Sequence, residues 1–256
     1  MNRIDRTFKE LKKNGRKALI PYIMAGDPDL AATKRYIHDL ESSGADIVEL
    51  GVPFSDPLAD GPTIQRAAER SLKNGTTLRK VIDLVKEIRK TSEIPLILMT
   101  YYNPIFKMGI ESFITKAVKA GVDGVIIPDL IPDEADEFMK LSRLHDLDTI
   151  FLLAPTSTGK RIRKVAKAST GFIYYVSITG ITGAKLSMGD LMKNTLETIN
   201  CTTRKPVAVG FGVSNAKEAA SVAMLADGVI IGSAIVKLIA NGKSIRGFIK
   251  DIRKAI

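Results

Sequence analysis

Eight short runs rich in β-branched and other apolar residues recur along the chain, each followed by a longer amphipathic stretch. This alternation restricts the fold more than any other feature. The runs are Ala18–Met24, Asp46–Gly51, Pro95–Tyr101, Asp123–Ile127, Asp148–Ala154, Gly171–Ser177, Pro206–Gly210 and Gly228–Gly232. Helical patterns lie between them, among them Leu30–Ser43, Thr63–Lys73, Leu78–Arg89, Ile110–Ala120, Asp133–His145, Lys160–Ala168, Asp190–Ile199, Asn215–Leu225 and Ser233–Asn241. Strands that always alternate with helices imply a parallel sheet, and in 256 residues eight such units are expected to close into an α/β fold of the (β/α)8 (TIM) barrel type. An open doubly wound sheet competes, but Ala25-Gly26-Asp27-Pro28 follows the first strand in place of G-x-G-x-x-G. Ile4, Phe8 and Leu11 share one helical face and predict an extra N-terminal helix under the barrel. Ile245, Phe248, Ile249 and Ile252 predict a closing C-terminal helix. No repeat, low-complexity tract or linker interrupts the pattern, so residues 1–256 are expected to form one domain.

Composition then removes whole classes of function. Cys201 is the single cysteine and the two histidines, His38 and His145, are far apart, so neither a disulfide scaffold nor a zinc site is expected, and no metal. Asp5 and Glu10 interrupt the basic N-terminus, and no stretch approaches the roughly 18 apolar residues of a membrane span, so the expectation is a cytoplasmic protein with no membrane partner. The net charge of +10 raises the question of nucleic acid. Its sign alternates along the chain, however, and basic residues such as Lys80, Lys86, Arg89, Arg161, Arg163 and Lys167 fall on helical patterns, which reads as solvated helix faces and no nucleic-acid groove.

In a barrel of this type, chemistry sits at the C-terminal strand ends and the loops after them. Along Asp46–Gly51 the side chains alternate, so Ile47, Glu49 and Gly51 share one face and Val48 and Leu50 the other. With the aliphatic pair turned to the helices, Glu49 points into the barrel near its mouth. Burial there raises a carboxylate's pKa, making Glu49 a candidate general acid/base, with a structural ion pair as the competing reading. Asp60 follows in the proline-rich loop just before Gly61-Pro62, either as a second functional carboxylate or as a helix cap. Glycine-bearing loops follow strands six, seven and eight: Thr179-Gly180-Ile181-Thr182-Gly183, Gly210-Phe211-Gly212 and Gly232-Ser233-Ala234. Such loops at a helix N-terminus let backbone amides approach an anion, which points to a phosphorylated substrate. None of the eight runs holds a lysine for a Schiff base, the histidines lie on helical patterns, and no dinucleotide fingerprint is present. The reading that remains is acid/base catalysis on a substrate able to stabilise its own charge.

Seven segments together carry a family resemblance over essentially the full chain. They are Tyr22–Pro28 (YIMAGDP), Val48–Pro62 (VELGVPFSDPLADGP), Met99–Pro104 (MTYYNP), Pro128-Asp129-Leu130, Thr179–Ala184 (TGITGA), Gly210-Phe211-Gly212 and Gly232-Ser233-Ala234, and they resemble the tryptophan synthase α subunit family. The resemblance implies cleavage of indole-3-glycerol phosphate to indole and glyceraldehyde 3-phosphate with no cofactor in this chain. It also implies an α2β2 heterotetramer whose pyridoxal-phosphate β subunit receives the indole. It puts the acid/base glutamate on Glu49, the aspartate on Asp60, a tyrosine on Tyr174, a mobile-loop threonine on Thr182, and phosphate-binding backbone on Gly183, Gly212, Gly232 and Ser233. Tyr22 stands where many members have phenylalanine. The ring is expected against Tyr22, Leu58, Ile64, Met99 and Tyr174, with Phe211 as a further substrate contact, and Ile178–Gly189 reads as a lid. Pro53, Asp56, Asn103, Phe106 and Asp129 are the expected docking positions for the β subunit. A stand-alone lyase, another phosphate-binding barrel enzyme and a non-catalytic activating subunit are the alternatives.

Overall fold

The computed structural model describes residues 2–176, 188–210 and 212–256, with residues 188–191 described by their backbone alone. Nine strand segments appear: β1 (Ala18–Met24), β2 (Val48–Gly51), β3 (Leu96–Met99), β4 (Gly124–Ile126), β5 (Asp148–Ile150), β6 (Leu152–Leu153), β7 (Ile173–Val176), β8 (Val207–Gly210) and β9 (Gly228–Ile231). All pair in parallel, in the order β5-β4-β3-β2-β1-β9-β8-β7-β6. The expected strand Asp148–Ala154 is therefore two segments about Phe151. Its first half pairs with β4 and its second with β7, and this change of partner closes the ring. The fold is the expected (β/α)8 barrel.

The helices are α1 (Arg3–Lys13), α2 (Leu30–Ser42), α3 (Pro62–Lys73), α4 (Leu78–Ile88), α5 (Tyr102–Met108), α6 (Ile110–Ala120), α7 (Asp136–Leu144), α8 (Gly159–Ala168), α9 (Met188–Thr202), α10 (Ala216–Ala223), α11 (Ser233–Ala240) and α12 (Arg246–Ala255). The helical patterns expected from the sequence do not include α5. Pro104 is its third residue, where a helix has no intrahelical use for the missing N–H, so the proline does not oppose it. The N-terminal helix and the closing α12 both form, burying Ile4, Phe8 and Leu11 in the one and Ile249 and Ile252 in the other.

Strand alternation divides the core in two. Ile20, Ile47, Ile97, Ile126, Ile150, Phe172, Ala208 and Ile230 fill the barrel interior, closed below by Ile4, Phe8 and Leu11 of α1. Phe8 meets Phe172 with ring centroids 5.5 Å apart. Val48 and Leu50 point outward into the layer between sheet and helices. Each such apolar side chain contributes about 1.5–3 kcal/mol by leaving water.

The strand starts are tied by aspartates. Asp46 accepts the Leu19 amide at 2.8 Å, Asp123 the Leu96 amide at 2.8 Å, and Asp227 the Val207 amide at 3.0 Å, so the residue before one strand holds the beginning of its neighbour. Asp123, 3% exposed, also meets Arg89 at 2.6 Å and Arg3 at 3.0 Å. Arg89 in turn donates to the carbonyls of Gly121 and Ile94 at 2.8 and 2.7 Å. Removing one member of a buried pair strands the other charge. Arg89→Met is therefore expected to cost about 3 kcal/mol, read as a lowered urea midpoint, and an unchanged midpoint would show that this network does not hold the barrel floor.

Candidate active site

Glu49 occupies the middle of β2, in register with Tyr22 of β1 and Ile97 of β3. Its neighbours Val48 and Leu50 pack outward, so its own side chain turns inward, above the aliphatic filling of the barrel. It is 1% exposed, and neither carboxylate oxygen has a hydrogen-bond partner among the described residues. A structural ion pair would need a cation that these residues do not supply. Burial, and secondarily the charge of Asp60, pushes the Glu49 carboxyl up to about 8.

Asp60 belongs to a different environment. It is half-buried, and the Tyr101 hydroxyl donates to its Oδ2 at 3.2 Å while accepting the Ala59 amide at 2.9 Å. Gln65 holds the Asp60 carbonyl at 2.9 Å. The helix-cap reading is not met: the N-cap of α3 is Gly61, with no side-chain capping bond, and Pro62 follows. Burial raises the Asp60 carboxyl to about 6 against the opposing hydrogen bond from Tyr101. Sequence reasoning missed Tyr101, which stacks on Phe54 at 5.1 Å and reaches Asp60 from another loop.

Two tyrosines are placed in the same manner, each over a glycine of the next strand. A Cβ added to Gly51 would meet the Tyr22 hydroxyl at 2.1 Å, and one added to Gly210 would meet that of Tyr174 at 2.4 Å. Each ring is thus laid over a bare backbone position on the next strand, which only glycine permits. Burial keeps both phenols protonated, far above their ordinary range.

These groups open on one cavity of about 470 Å³. Of the expected substrate contacts, Tyr22, Ile64, Met99, Tyr174, Gly212, Gly232 and Ser233 line it together with Glu49 and Asp60. Thr182, Gly183 and Phe211 lie outside the described residues. Leu58 does not join: at 95% exposure it stands in solvent, because the turn closed by Asp60 N to Pro57 O at 3.0 Å tips it away. Val213, Ser214 and Lys237, not singled out in the sequence, also line the cavity, as does Ala234 of the expected Gly232-Ser233-Ala234 loop. At the same barrel end, Asp56 and Asp129 on loops and Asn103 and Phe106 on α5 are exposed, whereas Pro53 is buried. Asp129 additionally accepts the Tyr102 amide at 2.9 Å at the start of α5.

A cleft of comparable size, about 510 Å³, lies at the opposite end between α1 and the strand starts. Its lining includes the exposed Lys9, Lys12, Arg16 and Arg204 but no buried polar side chain lacking a partner. Volume alone does not separate the two. The unpartnered acid does. Among the described residues no group of three or more His, Cys, Asp or Glu is placed to hold a metal ion, and no helix is long and apolar enough to cross a membrane.

Comparison with known proteins agrees with this architecture. The family model described as tryptophan synthase alpha chain matches residues 8–254. A tryptophan synthase alpha chain of Geotalea uraniireducens is 56% identical over 93% of this chain and 89% of its own length. That of Geobacter sulfurreducens is 53% identical over 100% and 99%. The crystal structure of tryptophan synthase subunit alpha from Legionella pneumophila superposes with a TM-score of 0.91 at 39% identity, covering 100% of this chain and 98% of that one.

The raised pKa of Glu49 has a sign that stability measurements can read. Its folded value of about 8 exceeds the ordinary 4.5, so the folded chain binds the extra proton between those limits and loses stability as pH rises through them. Glu49→Gln, neutral throughout, is expected to raise the urea midpoint at pH near 8 and leave it almost unchanged near pH 4. A lower midpoint at the higher pH would mean that Glu49 is held as an anion.

Proposed function

The chain belongs to the tryptophan synthase alpha chain family, a lyase family, and from that premise we propose that it cleaves indole-3-glycerol phosphate to indole and glyceraldehyde 3-phosphate by a retro-aldol reaction. The observation that carries this reading is the pair of carboxyls with separated proton affinities in one cavity, Glu49 at about 8 and Asp60 at about 6. Near neutral pH the first is an acid and the second an anion.

Their roles follow from what the bond cleavage needs. Breaking the bond between indole C3 and the glycerol carbon leaves an electron pair on the ring unless C3 is protonated first. Protonated Glu49 delivers that proton, and the positive charge spreads to the ring nitrogen. Asp60, held by Tyr101, accepts the indole N–H and stabilises that charge. Glu49, now a carboxylate, takes the proton from the hydroxyl on the carbon bonded to C3. The C–C electrons return to the ring, the aldehyde forms, and Glu49 ends protonated as it began. The ring lies against Tyr22, Ile64, Met99 and Tyr174, and the phosphate on the amides of Gly212, Gly232 and Ser233, where α11 presents its N-terminus. Nothing in this scheme calls on a cofactor in this chain. Thr182, Gly183 and Phe211 keep their proposed substrate contacts on the strength of the family resemblance.

We further infer a cytoplasmic enzyme of one barrel domain in an α2β2 complex, docking its pyridoxal-phosphate β subunit through Asp56, Asn103, Phe106 and Asp129. Phe106 is 67% exposed on the face where the cavity opens, so an apolar anchor stands beside the route by which indole would leave. Pro53, the remaining docking position that the family resemblance implies, is buried.

Indole release tests the chemistry. Glu49→Gln is expected to lower kcat by at least about 10²–10⁴ with substrate binding kept, and Asp60→Asn to be severely impaired. In the wild type, kcat/KM should rise as Asp60 ionises near pH 6 and fall as Glu49 ionises near pH 8. More than about a tenth of wild-type turnover in Glu49→Gln would sink the mechanism. For the partner, saturating β subunit is expected to raise turnover, and Phe106→Ala or Asp56→Ala to lower that activation ratio more than the basal rate. An unchanged ratio in both variants removes this surface from the interface while leaving the lyase reading intact.

A further inference from the structure

The cavity that holds Glu49 and Asp60 is lined, among the described residues, by a single cation, Lys237. Lys237 stands in α11, four positions after Ser233, the residue that opens this helix. Residues so spaced share a helix face, and long helical side chains lean back towards the N-terminus. The stem of Lys237 therefore rises along the wall that ends in the amides of Ser233 and Ala234, which belong to the first helical turn and have no carbonyl to meet within it. Lys237 is exposed and forms no ion pair or hydrogen bond with any described residue.

Electrostatics gives this placement a use. A phosphomonoester entering the cavity brings nearly two negative charges towards an ionised Asp60. Backbone amides give the phosphate directional bonds, and a helix N-terminus offers the equivalent of about half a charge, which does not balance a dianion. An ammonium does. We propose that Lys237 is a phosphate-binding residue of this site, its Nζ neutralising the phosphate of the substrate while the amides of Gly232, Ser233 and Ala234 orient it. The inference rests on the reading that the substrate is phosphorylated, and adds to it the group that supplies the charge.

Two ligands test it separately: inorganic phosphate, titrated calorimetrically, and indole-3-glycerol phosphate, followed by indole release. Lys237→Gln is expected to raise both the phosphate Kd and the KM about three- to tenfold, the range for a charge contact open to solvent, with the loss falling on KM far more than on kcat. The gap should narrow in about 1 M salt, where screening acts within about 3 Å. Lys237→Arg should return both constants to within about twofold of wild type, since charge and reach are kept. Affinity for indole itself, which has no phosphate, should not move. Unchanged phosphate Kd and KM in Lys237→Gln overturns the proposal, as does equal weakening of indole and phosphate. If the wild type still releases indole, the lyase reading survives that failure. A wild type that neither binds phosphate nor releases indole ends both.

Discussion

Closing parallel strands into a ring leaves only one place where a polar side chain can face inward and still reach a substrate. The floor is sealed by Ile4, Phe8 and Leu11 of α1, and the middle is filled by Ile20, Ile47, Ile97, Ile126 and their neighbours. Period-two alternation forces every second residue of each strand into this interior. On β2 that series runs Ile47, Glu49, Gly51: aliphatic where the barrel is dry, acidic where it opens, bare at the rim. The same packing that stabilises the barrel removes water from beneath Glu49 and so raises its proton affinity. Fold stability and the state of the proposed acid have one cause.

The rim is arranged by a second consequence of alternation. Gly51 follows Glu49 on the inward face of β2, and its lack of a Cβ admits the ring of Tyr22 from β1; Gly210 on β8 admits Tyr174 from β7. Both phenols line the cavity together with the acid. Among the described residues, the charged groups lining this cavity are the acids Glu49 and Asp60 and the cation Lys237. A substrate that carries both an aromatic ring and a phosphate matches this lining.

How much of this was legible in the sequence depended on whether a residue's placement is decided locally. Glu49 was legible because a strand's faces are set by counting, and the barrel by the number of strand–helix units. Asp60 was found by position, but its surroundings were not. The hydroxyl that holds it comes from Tyr101, 41 residues away, and no local pattern reports such a contact. Leu58 was misplaced because its orientation depends on a turn between Asp56 and Asp60 that proline spacing alone does not specify. Lys237 was passed over because a lysine on an amphipathic helix reads as a solvated face; only the location of the cavity distinguishes it from Lys86 or Lys167. The break at Phe151 escaped for a similar reason, since a continuous apolar run does not show where a strand changes partner.

A raised pKa does not by itself pick out the functional acid in this barrel, and the buried carboxylates show why. Asp148, at the strand starts, is pushed up to about 7, close to the value of Glu49, chiefly by burial. Yet Asn2 donates to its Oδ2 at 2.6 Å, and the same Asn2 caps α1, so the group fastens the floor helix to the barrel. Asp46 is met by Arg253 at 2.8 Å and Asp123 by Arg89 at 2.6 Å. Even at the upper end, Asp27 is gripped by two guanidinium nitrogens of Arg70, Nε at 2.8 Å and Nη2 at 2.7 Å. Each of these acids is buried because it holds something. Glu49 is as deeply buried and holds nothing, with both oxygens unpartnered over an open cavity. A buried polar group left in that state costs stability on the order of 1–3 kcal/mol. Such a loss is sustained where a substrate, not the protein, is to provide the missing partner.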